Sequence, residues 1–154
     1  MILDVKMVNP FIEAIMYIMP QLGFQNIVKG NLSVKDQFME SKGLTVLLGM
    51  TDAMRGSVAY NMTEETAKKI ASTMMMGMPV PEMDEMAQSA ISELTNMVTG
   101  NAATNFEKCG LKVDISPPTL VVGSDFKAKI SSTKFIVIEM IVDSLVIELN
   151  IGLL

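Results

Sequence analysis

Residues 82–108 read EMDEMAQSAISELTNMVTGNAATNFEK, and their apolar positions recur with the period of a helix. Met83, Met86, Ala87, Ala90, Ile91, Leu94, Met97, Val98 and Ala102 fall on one face, and Gly110 stops the run. A helix this long with a single apolar stripe has to bury it against a second layer. The flanking sequence supplies that layer. Residues 43–50 and 57–62 predict two strands joined by a turn between Asp52 and Gly56. Residues 134–142 and 145–150 predict a β-branched hairpin turning at Asp143-Ser144. The fold class is therefore α+β, an antiparallel β-sheet with a long central helix and additional helices packed on one face.

The remaining elements fit around this frame. Phe11, Ile12, Ile15, Met16, Ile18 and Met19 predict a helix over residues 9–19, with Asn9 as N-cap, Pro10 in the first position, and Pro20 and Gly23 at its close. Residues 26–34 predict a strand. Thr63 followed by Glu64 and Glu65 opens a helix that runs through residues 70–76 and stops at Gly77 and Pro79. Residues 111–116 and 119–123 are short strands broken by Pro117-Pro118, where proline confines the chain to an edge or a bulge. The hairpins over residues 44–62 and 135–151 are built alike, a hint of internal duplication. No linker or low-complexity tract interrupts the chain, so residues 1–154 form a single domain.

Composition excludes several classes. Twelve scattered Lys and Arg residues, a net charge of −5 and a pI near 4.7 argue against a nucleic-acid ligand. The absence of histidine and the single Cys109 remove His-based triads and most zinc, copper and haem sites. There is no glycine-rich phosphate loop of either common pattern. Mean hydropathy is +0.38, yet the most apolar segment, residues 135–154, is interrupted by Glu139, Asp143 and Glu148, which argues against a membrane span. A lone cysteine and an N-terminus unlike a signal peptide fit a cytoplasmic protein. The sixteen methionines fill irregular core gaps or form an adaptable surface for a partner.

Within the long helix, Ser89, Glu93, Asn96 and Gly100 share a sector of roughly 60°, away from the apolar stripe. Polar residues on an outer helix face are ordinarily just solvated. Two of these are nonetheless costly where they stand. Asn competes for backbone hydrogen bonds, and a mid-helix Gly costs about 1 kcal/mol relative to Ala. Close approach by another molecule's backbone accounts for both. An Asn amide has no useful pKa, but it can accept from and donate to a water and so fix its position beside a labile phosphoryl bond. A neighbouring Glu can anchor a cationic group of a partner.

The pattern Ser89-x-x-x-Glu93-x-x-Asn96, followed by Met97-Val98-Thr99-Gly100-Asn101-Ala102, resembles the signature helix of the CheC/CheX/FliY phosphatases of bacterial chemotaxis. Residues 113–119 (Val-Asp-Ile-Ser-Pro-Pro-Thr) with Val121-Val122-Gly123, the segment beginning Asn9-Pro10-Phe11, and Arg55-Gly56-Ser57 are similar to CheX-type chains. This resemblance covers almost the whole length. It implies a CheC/CheX-like fold and hydrolysis of the aspartyl phosphate of a CheY-type response regulator. Asn96 would then orient the attacking water, Glu93 would pair with the receiver's active-site lysine, and Ser89 and Gly100 would support the partner contact. Mg²⁺ would belong to the receiver, with no cofactor of the chain's own. CheC proteins carry a second motif on the first helix; here that position reads Asn9-x-x-x-Glu13-x-x-Met16, which implies one site, the CheX arrangement. The resemblance also implies a homodimer built through the sheets, and the apolar C-terminal hairpin is the expected interface.

The competing reading is a non-catalytic docking module for a response regulator. Retention of both Glu93 and Asn96 favours the enzyme, since docking alone does not need that pair. A structural dimer without a receiver partner leaves Asn96 and Gly100 unexplained.

Overall fold

The computed structural model describes residues 5–153. A 3-10 turn, Val5–Val8, feeds α1 (Asn9–Gln21). There follow β1 (Ile27–Glu40), β2 (Gly43–Asp52), β3 (Gly56–Met62), α2 (Glu64–Met74), α3 (Glu85–Lys108), β4 (Val113–Ile115), β5 (Thr119–Gly123), β6 (Lys127–Val142) and β7 (Leu145–Leu153). The strands form one antiparallel sheet in the order β1-β6-β7-β3-β2, and β4 and β5 both pair with the outer side of β2. The α+β architecture of the sequence reading is the observed one. Hairpins β2–β3 and β6–β7 occupy the middle, with β3 against β7 and the edges left to β1 and β4–β5.

Local chemistry sets the helix starts. Thr63 caps α2, its Oγ1 accepting from Thr66 N at 3.1 Å, with Glu64 and Glu65 in the first turn. Asp84 caps α3, accepting from Ala87 N at 2.9 Å, so the helix begins at Glu85 and not at Glu82. Asn9 does not cap α1. The Val5–Val8 turn runs straight into the helix, and Val8 stands at the cap with helical backbone angles and no side-chain bond. A side-chain cap needs extended backbone at that position.

The helices cover one face of the sheet. Val46, Leu48, Tyr60, Ile138 and Leu149 from the strands meet Phe11, Ile15, Ile70, Ile91 and Val98 from the helices in the main core. Phe11 of α1 and Phe106 of α3 stack edge to face with centroids 5.8 Å apart, a geometry that adds about 0.5–1.5 kcal/mol beyond burial. Met86 lies off this face and is 62% exposed. The buried stripe centres on Ala87, Ile91, Leu94 and Val98, which turns Met86 outward.

On the opposite face, β1 and β6 run well past the predicted limits of 34 and 134 and pair with each other as far as Glu40 and Lys127. Register breaks between Lys29 and Leu32 and between Asp36 and Phe38 bend the ribbon. The bend buries Ile130, Phe135, Val137 and Met39 against Ala59 in a second, smaller core. A Cβ on Gly152 would collide with the Ile130 carbonyl, so glycine is what admits the crossing.

The C-terminal hairpin is not an edge. β6 is flanked by β1 and β7, and β7 by β6 and β3, so its apolar residues are consumed inside the sheet. Its turn is as predicted: Asp143 and Ser144 both have positive φ (49° and 68°), as a two-residue hairpin turn requires.

Candidate functional site

α3 carries its polar sector along an open groove of about 470 Å³. Ser89, Glu93 and Asn96 line it, together with Glu85, Gln88 and Ser92 of the same helix and with Pro118 and Leu120 of the facing chain. Ser89, Glu93 and Asn96 are exposed, and among the described residues neither Glu93 nor Asn96 spends its side chain on a hydrogen bond within the chain. A carboxylate and an amide three residues apart, both unengaged and lining an open groove, are available to a molecule seated there.

The facing wall is made rigid by its sequence. β4 and β5 are one edge strand interrupted at Ser116-Pro117-Pro118, and Pro118 projects at the break. Leu120 pairs with Val46 and packs on the main core, which ties this wall to the sheet. On the helix side, Gln88 Nε2 donates to the Met83 carbonyl at 2.8 Å, anchoring that side chain at the start of α3. Among the described residues, the charged side chains lining the groove are the acidic Glu85 and Glu93. The site therefore favours a cationic group on whatever occupies it.

Gly100 stands one turn beyond Asn96, half-buried and outside the groove lining. A Cβ there would lie 3.9 Å from Ile115 Cδ1, an ordinary contact. On α1, Glu13 and Met16 are exposed, and Met16 is 48% accessible.

Glu85, Gln88 and Ser92 escaped the sequence reading, although Gln88 and Ser92 only widen the sector by one residue on the same side. Pro118 and Leu120 carried no signal of this kind. They reach the site through strand pairing with β2, which periodicity does not encode.

A seven-stranded antiparallel sheet with three helices on one face, and a Glu-x-x-Asn pair in an open groove of the longest helix, defines a CheC/CheX-like protein. The family model for "Chemotaxis phosphatase CheX" matches residues 44–140, and the chain belongs to the CheX family. It is 46% identical over 86 residues to the CheY-P phosphatase CheX of Thermotoga maritima, and the match takes in 56% of each chain. The chain thus spans about half the length of that curated relative.

Solved structures agree in fold. A chemotaxis protein CheX from Desulfovibrio desulfuricans superposes with a TM-score of 0.85 at 18% identity, covering 97% of this chain and 100% of that one. CheX in the CheX–CheY–BeF3–Mg complex of Borrelia burgdorferi gives 0.78 at 24% identity, covering 97% and 99%. Thermotoga maritima FliY gives 0.70 at 18% identity, covering 98% and 92%.

Proposed function

We propose that this chain accelerates hydrolysis of the aspartyl phosphate of a CheY-type receiver domain. The observation that carries the reading is the unengaged Glu93 and Asn96 pair in the acidic groove of α3. In this reading Glu93 forms an ion pair with the receiver's active-site lysine, which seats the receiver against α3. The Asn96 amide then accepts a hydrogen bond from a water and holds it in line with the phosphorus. The water oxygen bonds to phosphorus as the bond to the aspartyl oxygen breaks, giving inorganic phosphate and the free carboxylate. Asn96 moves no proton, and its contribution is positional. Ser89, which lines the groove beside Glu93 and Asn96, supports the contact, whereas Gly100 lies outside the lining.

The Mg²⁺ of the reaction comes with the receiver. This is supported by the donor set of the chain, since among the described residues no three Asp, Glu or Cys side chains converge. The complex of the Borrelia burgdorferi relative contains CheY together with Mg. The cytoplasm is the proposed location, consistent with the receiver substrate; among the described residues no helix is long and apolar enough to cross a membrane.

The chain is further proposed to form a homodimer through its sheets. The open edge strand β1 presents Val28, Leu32, Val34 and Phe38 partly exposed and takes the place of the C-terminal hairpin as the expected interface. Light scattering of the wild type against Val34→Lys tests it, and a monomeric wild type would refute it.

The phosphatase reading is tested by phosphate release from CheY-type receivers of the source organism charged with phosphoramidate. Wild type accelerates release, Asn96→Ala abolishes the acceleration with the fold intact, and Glu93→Ala weakens both docking and rate. Full activity in Asn96→Ala would overturn the mechanism. Binding without acceleration by the wild type would establish the docking module instead.

A further inference from the structure

We propose that Tyr60 is a positioning residue for the Glu93/Asn96 site, holding α3 at the required height and rotation through the hydrogen-bonded chain Tyr60–Thr99–Thr95. This inference rests on the phosphatase reading above. Tyr60 stands on β3 facing the helices and is buried. Its hydroxyl lies 2.7 Å from Thr99 Oγ1. Thr99 commits its single hydroxyl proton to the Thr95 carbonyl at 2.7 Å, so the proton between Tyr60 and Thr99 belongs to Tyr60. Burial pushes the Tyr60 phenol far above its ordinary range, against a smaller opposing effect of the Thr99 bond, so the donor keeps its proton.

The chain ends where the site begins. The Thr95 carbonyl belongs to the same peptide unit as the Asn96 nitrogen. A second buried hydroxyl, Thr95 Oγ1, donates at 2.9 Å to the Ser92 carbonyl, which shares its peptide unit with the Glu93 nitrogen. The backbone that aims both side chains is thus held from the buried side. Among the described residues, Tyr60–Thr99 is the one side-chain hydrogen bond that joins α3 to the sheet.

The apolar contacts around this level of the helix are non-directional. Ile15 and Met19 of α1, Leu94, Thr95 and Val98 of α3, and Tyr60 border a void of about 10 Å³ directly beneath the functional turn. The directional bond from Tyr60 crosses the interface beside that gap. Because hydrolysis here depends on placing a water, small displacements act on the rate.

The experiment measures steady-state phosphate release from phosphoramidate-charged receiver with wild type, Tyr60→Phe, Thr99→Val and the double variant. It is run well below the melting temperature of each. Either single change is expected to lower kcat about tenfold with KM held within about twofold, and the double variant to be no worse than either alone. Thr99→Ser keeps the hydroxyl chain and should retain kcat, which distinguishes positioning from general damage if Thr99→Val folds poorly. Unchanged kcat in folded Tyr60→Phe, or a loss confined to KM, would overturn the proposal while leaving an active wild type as a phosphatase. An inactive wild type would instead remove the phosphatase reading itself.

Discussion

Ser116 and Gly49 are joined by two hydrogen bonds of opposite sense. Gly49 N donates to Ser116 Oγ at 2.8 Å, and Ser116 N donates to the Gly49 carbonyl at 2.9 Å. Neither Pro117 nor Pro118 can donate to the ladder, and the serine hydroxyl takes up a strand amide that the bulge would otherwise leave unpaired. This latch fixes the wall of the groove opposite Asn96. Ser116→Ala is expected to cost about 0.5–1.5 kcal/mol by urea denaturation. It should also weaken receiver binding several-fold in a titration, while Ser116→Thr retains both bonds and most of the affinity.

Glu93→Gln keeps the size of the side chain and removes its charge. If Glu93 pairs with a receiver lysine, KM for the phosphorylated receiver should rise roughly 10- to 100-fold, the range of a charge-assisted bond. The dependence of KM on salt should flatten as well. A salt response identical to that of wild type would show that the charge does not contact the receiver.

Gly100→Ala separates two costs. Its Cβ has room beside Ile115, so helix propensity should raise stability by about 0.5–1 kcal/mol and the melting temperature by a few degrees. Because Gly100 does not line the groove, phosphate release is expected to stay at the wild-type level. A fall in rate despite higher stability would show that the receiver's backbone passes over this position.

Tyr60 also gives the fold a signature at alkaline pH. Burial raises its folded-state pKa above that of the unfolded chain. The stability it contributes is therefore complete below the unfolded value of about 10 and is lost as pH climbs from there toward the folded value. The loss should approach about 1.4 kcal/mol per pH unit for this one group. Urea titrations from neutral to strongly alkaline pH should show the decline in wild type and a shallower one in Tyr60→Phe.

Much of this molecule is legible in single segments, and what is not has a common cause. The α3 stripe apart from Met86, the Thr63 cap and the Asp143-Ser144 turn each depend on residues within a few positions, and each is found where local chemistry puts it. The outer half of β1 is different. Lys35, Asp36, Gln37 and Glu40 show no apolar alternation, and the strand persists there because β6 pairs with it. Asn61 is a second case. It is buried at the centre of a cluster, accepting from Lys42 N and Thr45 Oγ1 and donating to the Glu40 carbonyl and to Glu148, which is itself ion-paired with Lys42. Nothing adjacent to Asn61 in sequence announces Glu148. At the site, Ser89, Glu93 and Asn96 share one helix and can be read together, whereas Pro118 becomes their neighbour only through the pairing of β5 with β2.

The pairing of β1 with β6 also sets the order of events during synthesis. Ile27 meets Val142 and Glu40 meets Lys127, so each residue of β1 finds its partner on the order of a hundred positions later. Among the described residues β1 has no other strand neighbour. While the ribosome makes α2, α3 and the short edge strands, β1 waits with Val34 and Phe38 and without a template. Closing so long a loop is slow, and the helix bearing Glu93 and Asn96 leaves the ribosome before the last two strands that complete the sheet beneath it. A nascent chain halted before β6 would present an aggregation-prone strand rather than a working half-molecule.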